Sequence, residues 1–96
     1  MASIPVVLQR IRRARREADV PQTDRRFETY EPEYRRILAA VEEAGGERSL
    51  EAVMEWAIEW TQREKRLPEP ETLRAGARSS LDERDIEIPA ALEPRE

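Results

Sequence analysis

Arginine is the residue type in this chain that is best suited to bind another molecule. Of the 17 basic residues, 16 are arginine and only Lys65 is lysine. The densest cluster comprises Arg10, Arg12, Arg13, Arg15 and Arg16. No acidic residue occurs in the chain before Glu17. Because a planar guanidinium forms paired hydrogen bonds with phosphate and carboxylate, the cluster indicates a partner that carries one of these groups. The alternative is that these arginines form the solvated face of an amphipathic helix.

The residue types that most often carry out catalysis are missing. The chain has no cysteine and no histidine, which removes the commonest nucleophile, general base and metal ligand. Acidic pairs such as Glu42 with Glu43, or Glu55 with Glu59, are predicted to lie on exposed helix faces rather than in a pocket. We therefore expect a protein that is not an enzyme and that binds no metal, no cofactor and no small-molecule substrate.

Length and charge limit the classes of protein to which the chain can belong. Its 96 residues are enough for one domain with a modest core. The net charge of -4 argues against a protein that coats nucleic acid indiscriminately. The charge is uneven, because residues 1–40 carry a net +3 and residues 41–96 a net -7. One half of the molecule could therefore attract an anion that the other half repels.

The amino-terminal residues give no sign of export or membrane insertion. No charged segment precedes an apolar stretch there, and no apolar run approaches the roughly 20 residues of a membrane span. We expect a cytoplasmic protein without membrane contact.

Apolar residues recur at helical spacing through most of the chain, which predicts an all-α fold. Proline and glycine interrupt the pattern after residue 20, at residues 45–46 and at residue 68, and these are helix-ending signals. We predict a small bundle of about four helices, over residues 5–19, 32–44, 49–66 and 70–84. It forms a single domain over residues 1–85, and an extended tail over residues 86–96 follows.

The boundaries of the second and third helices are assigned from their first residues. Pro32 is placed at the start of the second helix, since proline is favoured there, and residues 21–31 become an irregular link in which Phe27 and Tyr30 lie over the core. Ser49 is placed as the N-cap of the third helix. The apolar arc of the third helix is wide, so we expect it to be the central one. The residues predicted to be buried together are Ile37, Leu38, Val41, Val53, Met54 and Ala57.

The segment over residues 60–81 resembles a helix-turn-helix motif. It contains a helix, a short proline-bounded turn and a second helix that carries Arg74, Arg78 and Ser79. In that motif the second helix lies in the major groove and its side chains reach bases and phosphates. The turn has no glycine, and Glu69 and Glu71 precede the arginines. A plain helical hairpin is the alternative interpretation.

Four apolar residues are candidates for contact with a protein partner. Trp56 and Trp60 lie one turn apart on one flank of the third helix, where they are either core residues or a partly exposed anchor. Ile86 and Ile88 alternate in the tail, which we expect to be held against its own core or against another chain.

Two functional hypotheses follow. The first is a regulatory nucleic-acid-binding module that uses Arg74, Arg78 and Ser79 together with Arg12, Arg13 and Arg16. The alternative is a protein-docking factor, such as a phage- or plasmid-encoded inhibitor or a minor subunit of a larger assembly, that uses the tryptophans and the tail. The sequence leaves open whether the target is DNA, RNA, another protein or a second copy of the chain.

Overall fold

The computed structural model describes residues 3–17 and 26–93, with Arg26 described by its backbone alone. These residues are helical apart from short connections and contain no β-strand, which confirms the predicted all-α class. The elements are α1 (Ile4–Glu17), α2 (Arg26–Glu64), α3 (Pro70–Glu83) and a 3₁₀ turn (Ala90–Leu92). The predicted count of about four helices is one too high for this part of the chain.

The count differs because α2 contains both of the helices predicted over 32–44 and 49–66. A straight helix of 39 residues would be about 58 Å long, whereas the longest dimension of the molecule is 37 Å. The backbone breaks at Gly46, where φ is 71° and ψ is -164°, a region that glycine adopts without a steric penalty. We call residues 26–45 the first arm of α2 and residues 47–64 its second arm.

The first arm begins at Arg26, so the predicted start at Pro32 is wrong. A proline inside a helix cannot donate to the carbonyl four residues earlier, which usually disfavours that position. The packing of Phe27 offsets this cost. Its side chain is buried and its ring meets Tyr34 edge-on, with 6.2 Å between the centroids. Tyr30 lies 5.9 Å from the ring of Tyr34 on the same face.

Two further predictions, the irregular link and the N-cap at Ser49, differ from the structure. The predicted irregular link is wrong for residues 26–31, which are helical, while residues 18–25 lie outside the described part of the chain. Ser49, predicted as an N-cap, lies inside the second arm of α2. Its side chain is fully buried, and its Oγ has no hydrogen-bond partner within residues 3–17 and 26–93.

The core lies where α1, both arms of α2, α3 and the tail meet. Of the residues predicted to be buried together, Met54 is only half-buried and the other five are buried. The largest fully buried side chains are Ile11, Tyr34, Ile37, Leu38, Leu50, Leu67, Leu73, Leu81 and Leu92. Every described element therefore contributes to one cluster, as a small single core requires.

The connection between α2 and α3 is tight and partly buried. Lys65 adopts a left-handed conformation with φ of 58°, and its N–H donates to the carbonyl of Thr61. Leu67 and Pro68 are buried, and the hydroxyl of Tyr34 donates to the carbonyl of Pro68. The first arm of α2 thus holds the turn that leads into α3.

Candidate functional site

The two tryptophans form an aromatic stack on the flank of the second arm of α2. The rings of Trp56 and Trp60 are 6.5 Å apart at their centroids and inclined by 28°. Both side chains are half-buried, and Trp56 packs against the core, whereas Trp60 lies outside it. The guanidinium of exposed Arg66 covers the ring of Trp60 at 5.1 Å from the centroid. The two rings are therefore neither fully buried nor fully exposed.

α3 lies directly against this stack because Gly76 has no side chain. A Cβ atom at Gly76 would be 2.6 Å from the ring of Trp56, much closer than van der Waals contact. Thr72 and Ser80, one turn before and after Gly76, are half-buried on the same side of α3. We call Trp56, Trp60, Arg66, Thr72 and Ser80 the tryptophan face.

Arg74, the first of the arginines predicted to contact DNA, lies in the interior. Its residue exposure is 5%, and its guanidinium forms ion pairs with Glu33, at 3.3 Å, and with Glu71. Its Nε is buried and has no hydrogen-bond partner among the described residues. These ion pairs link α3 to the first arm of α2. A phosphate could reach Arg74 only by displacing them.

The structure places the other two predicted residues of α3 differently. Arg78 is half-buried and donates to the main-chain carbonyl of Leu92 at 2.6 Å, so it holds the tail. Ser79 is exposed. Of the three predicted α3 residues, only Ser79 is therefore fully at the surface.

The tail packs on the chain's own core over its described length. Ile86 and Ile88 are half-buried against the core cluster, and the N–H of Ile86 donates to the carbonyl of Leu81. Leu92, which the sequence interpretation did not single out, is fully buried. The signal for it was the short apolar run at residues 90–92 after Pro89. The partner of the isoleucines in this structure is the molecule itself.

Four of the five arginines of α1 are exposed and Arg15 is half-buried, and they differ in what they contact. Arg12 pairs with Glu28 at 3.3 Å and lies over the ring of Phe27, and Arg13 pairs with Glu17 at 3.0 Å. A hydrogen bond from its own backbone, followed by the contact with Arg12, holds the pKa of Glu28 below its usual range. Arg16, the third predicted residue of this set, is exposed.

Two of these arginines are not paired within the described chain. Arg10 and Arg16 are exposed and form no ion pair with residues 3–17 or 26–93. Arg10 and Arg13 form one side of a groove of about 260 Å³ between α1 and the second arm of α2. Ala14, Glu17 and Ile58 complete its lining. We call it the α1–α2 groove.

The described residues were compared with the requirements of a metal site and of a membrane span. Residues 3–17 and 26–93 contain no cluster of three or more acidic, histidine or cysteine side chains placed to hold a metal ion. In that same part of the chain, every helix is too short or too polar to cross a bilayer.

Comparisons with protein-family models, with curated proteins and with solved structures found no match for this chain.

Proposed function

We propose that this protein is a small non-enzymatic docking module that binds another protein through the tryptophan face. The observation that carries the proposal is the half-buried stack of Trp56 and Trp60. The ring of Trp60 lies outside the core and is partly exposed, so core packing does not account for it. Tryptophan and arginine are the residues most enriched among those that dominate binding energy at interfaces. Arg66 lies next to this stack.

The arrangement defines the chemistry of the partner. The Trp60 ring is half-buried and lies outside the core cluster, so a partner side chain can cover its exposed part without disturbing the core. Arg66 has one face directed to the Trp60 ring, and its N–H donors lie in the plane of the guanidinium, where a carboxylate can accept from them. The predicted partner therefore presents an apolar side chain next to an Asp or Glu.

The positions of Arg74 and Arg78 favour docking over the nucleic-acid hypothesis. Both guanidinium groups are engaged within the chain, by carboxylates and by the tail carbonyl. The helix-turn-helix interpretation needs these side chains at the base edges of DNA. Nucleic-acid binding by the α1 arginines stays a prediction, which the same experiments test.

The test is a capture experiment followed by titration of the purified partner. The replacement Trp60→Ala should weaken partner binding by roughly 30-fold, as expected of a hot-spot residue. The circular dichroism spectrum of this variant should be the same as that of the wild type. Gln62→Ala, an exposed change elsewhere on the same helix, is the matched control and should leave binding unchanged. Equal binding by both variants would exclude the tryptophan face.

Fluorescence anisotropy with labelled duplex DNA tests the competing hypothesis. Three or four phosphate contacts would make the affinity fall by about tenfold or more between roughly 50 and 200 mM salt. Arg12→Ala and Arg16→Ala would then lower the salt dependence, whereas exposed Arg48→Ala would not. DNA binding of this kind, with no protein partner recovered, would replace the docking proposal.

A further inference from the structure

The α1–α2 groove has one basic wall. Arg10, Arg13 and Arg16 project from successive turns of α1 and are exposed, and only Arg13 of the three is paired with a described residue. The three positions extend over about 9 Å of helix. Arg10 and Arg13 line the groove together with Glu17, which pairs with Arg13, and Arg16 lies one turn beyond them, so this side of α1 is basic on balance.

The second arm of α2 supplies an acidic ridge beside the same groove. Glu51, Glu55 and Glu59 recur every fourth residue and are all exposed. None of them forms an ion pair within the described residues. Like charges at this spacing repel one another on a helix, so the ridge is unfavourable until positive charge approaches it. Its length along the helix, about 12 Å, is close to that of the basic wall.

An apolar strip separates the two rows of charge. Ala14 is buried in the lining, and Ile58 is half-buried there but does not belong to the core cluster. Ile58 is three residues from Glu55 and therefore its neighbour on the helix surface. From α1 across to the outer side of α2, the order is thus the mainly basic side of α1, the apolar floor and the acidic ridge.

This order disfavours ligands of a single charge sign. A polyanion that approaches Arg10 and Arg13 meets the repulsion of the neighbouring glutamates, and a polycation is repelled by the arginines. The favoured occupant carries both signs on either side of an apolar centre. The same face of a second copy, rotated by two-fold symmetry, places an acidic ridge against each basic wall.

We infer that the α1–α2 groove is the contact face of an isologous homodimer of this chain. The Ile58 side chains of the two copies meet near the two-fold axis, and the rows of charge surround them as a polar rim. Because the rim pairs are exposed, the dimer is salt-sensitive. The inference does not depend on the tryptophan face, which lies on the opposite flank of the second arm of α2.

Analytical ultracentrifugation of the full chain, with charge-swapped variants, tests this dimer. The wild type should sediment with the mass of two chains at low salt. It should dissociate when salt rises from roughly 0.1 M to 1 M, which shortens the Debye length from about 10 Å to about 3 Å. The double variant Arg10→Glu/Arg13→Glu has two acidic walls, and Glu51→Arg/Glu55→Arg has two basic ones. Each variant alone should be a monomer.

Mixing the two double variants provides the decisive result. An equimolar mixture restores both attractive pairings, so it should form a heterodimer with at least roughly tenfold tighter association than either variant alone. Glu42→Arg/Glu43→Arg is the control, since it changes the net charge as much as the α2 variant does but on the first arm, and it should dimerise like the wild type. Circular dichroism confirms that every variant is folded.

Several outcomes would overturn the inference. A wild type that is still monomeric at about 1 mM and low salt has no dimer contact of useful strength. A wild-type dimer that survives both reversals, or a mixture that stays monomeric, places the contact elsewhere. If the wild type is a monomer and Arg10→Glu/Arg13→Glu abolishes binding of duplex DNA, the basic wall serves a polyanion instead.

Discussion

Arg74, a predicted DNA contact, is a buried side chain that links α3 to the first arm of α2. Its neighbours Leu73 and Ala77 belong to the inward face of α3, so position 74 lies at the edge of that face. A guanidinium there is buried and must be paired, and Glu33 and Glu71 provide the carboxylates. The sequence could not reveal this, because Glu33 is 41 positions away and only the packing of α3 on the first arm of α2 brings it near.

We predict that Arg74→Ala lowers the free energy of unfolding by about 2 kcal/mol. Removing one partner of a buried ion pair costs about 3 to 5 kcal/mol, and the partial exposure of the two carboxylates reduces that cost. Urea denaturation measures the change. Arg63→Ala, which removes an exposed arginine paired with Glu64, is the control and should change stability by less than about 0.5 kcal/mol. A fully stable Arg74→Ala variant would contradict the structural role.

At the scale of elements, the helical spacing predicted the class of fold correctly but missed one boundary. The series Phe27, Tyr30, Tyr34, Ile37 and Val41 keeps the spacing of three to four residues through position 32. That series was the signal that the first arm begins before Pro32. Local preference placed the proline at a helix start, and the burial of Phe27 against Tyr34 outweighed it.

The contact between α2 and α3 depends on Gly76, and a double-mutant cycle tests it. In an exposed helix, Gly→Ala stabilises by about 1 kcal/mol. Here the new methyl group would overlap the ring of Trp56, so Gly76→Ala alone should destabilise the protein. In a Trp56→Ala background the overlap disappears, and Gly76→Ala should become stabilising. Thermal unfolding of the four proteins gives the coupling, and additive effects would show that the helices do not touch at this point.

At the scale of the whole molecule, the sequence predicted the parts of the candidate surfaces but not their arrangement. The clustered arginines, the two tryptophans one helical turn apart and the uneven charge are all visible in the order of residues. The break at Gly46 and the packing of α1 on α2 decide which of them share a face. They place Arg10 and Arg13 opposite Ile58, a pairing that no local pattern specifies.

The role of the tail also depends on the packing of the whole molecule. The tail covers a part of the core that the helices alone leave exposed. Leu92 is fully buried and its carbonyl accepts a hydrogen bond from Arg78, while Ile86 and Ile88 cover the edge of the core. In a chain of this size the total stability is only about 5 to 10 kcal/mol, so one buried leucine in the tail is a large share of it. The tail is therefore part of the folded unit that any partner meets.

We predict that Leu92→Ala lowers the free energy of unfolding by about 2 to 4 kcal/mol, because a buried leucine leaves a cavity when it is truncated. Glu93→Ala, at the exposed neighbouring position, is the control and should be nearly neutral. Amide hydrogen exchange gives an independent check, since the N–H groups of Ile86 and Leu92 donate to main-chain carbonyls and should exchange more slowly than in a random coil. Leu92→Ala should release both amides before the helices unfold. Random-coil exchange at Ile86 in the wild type, or a neutral Leu92→Ala, would mean that the tail does not close the core in solution.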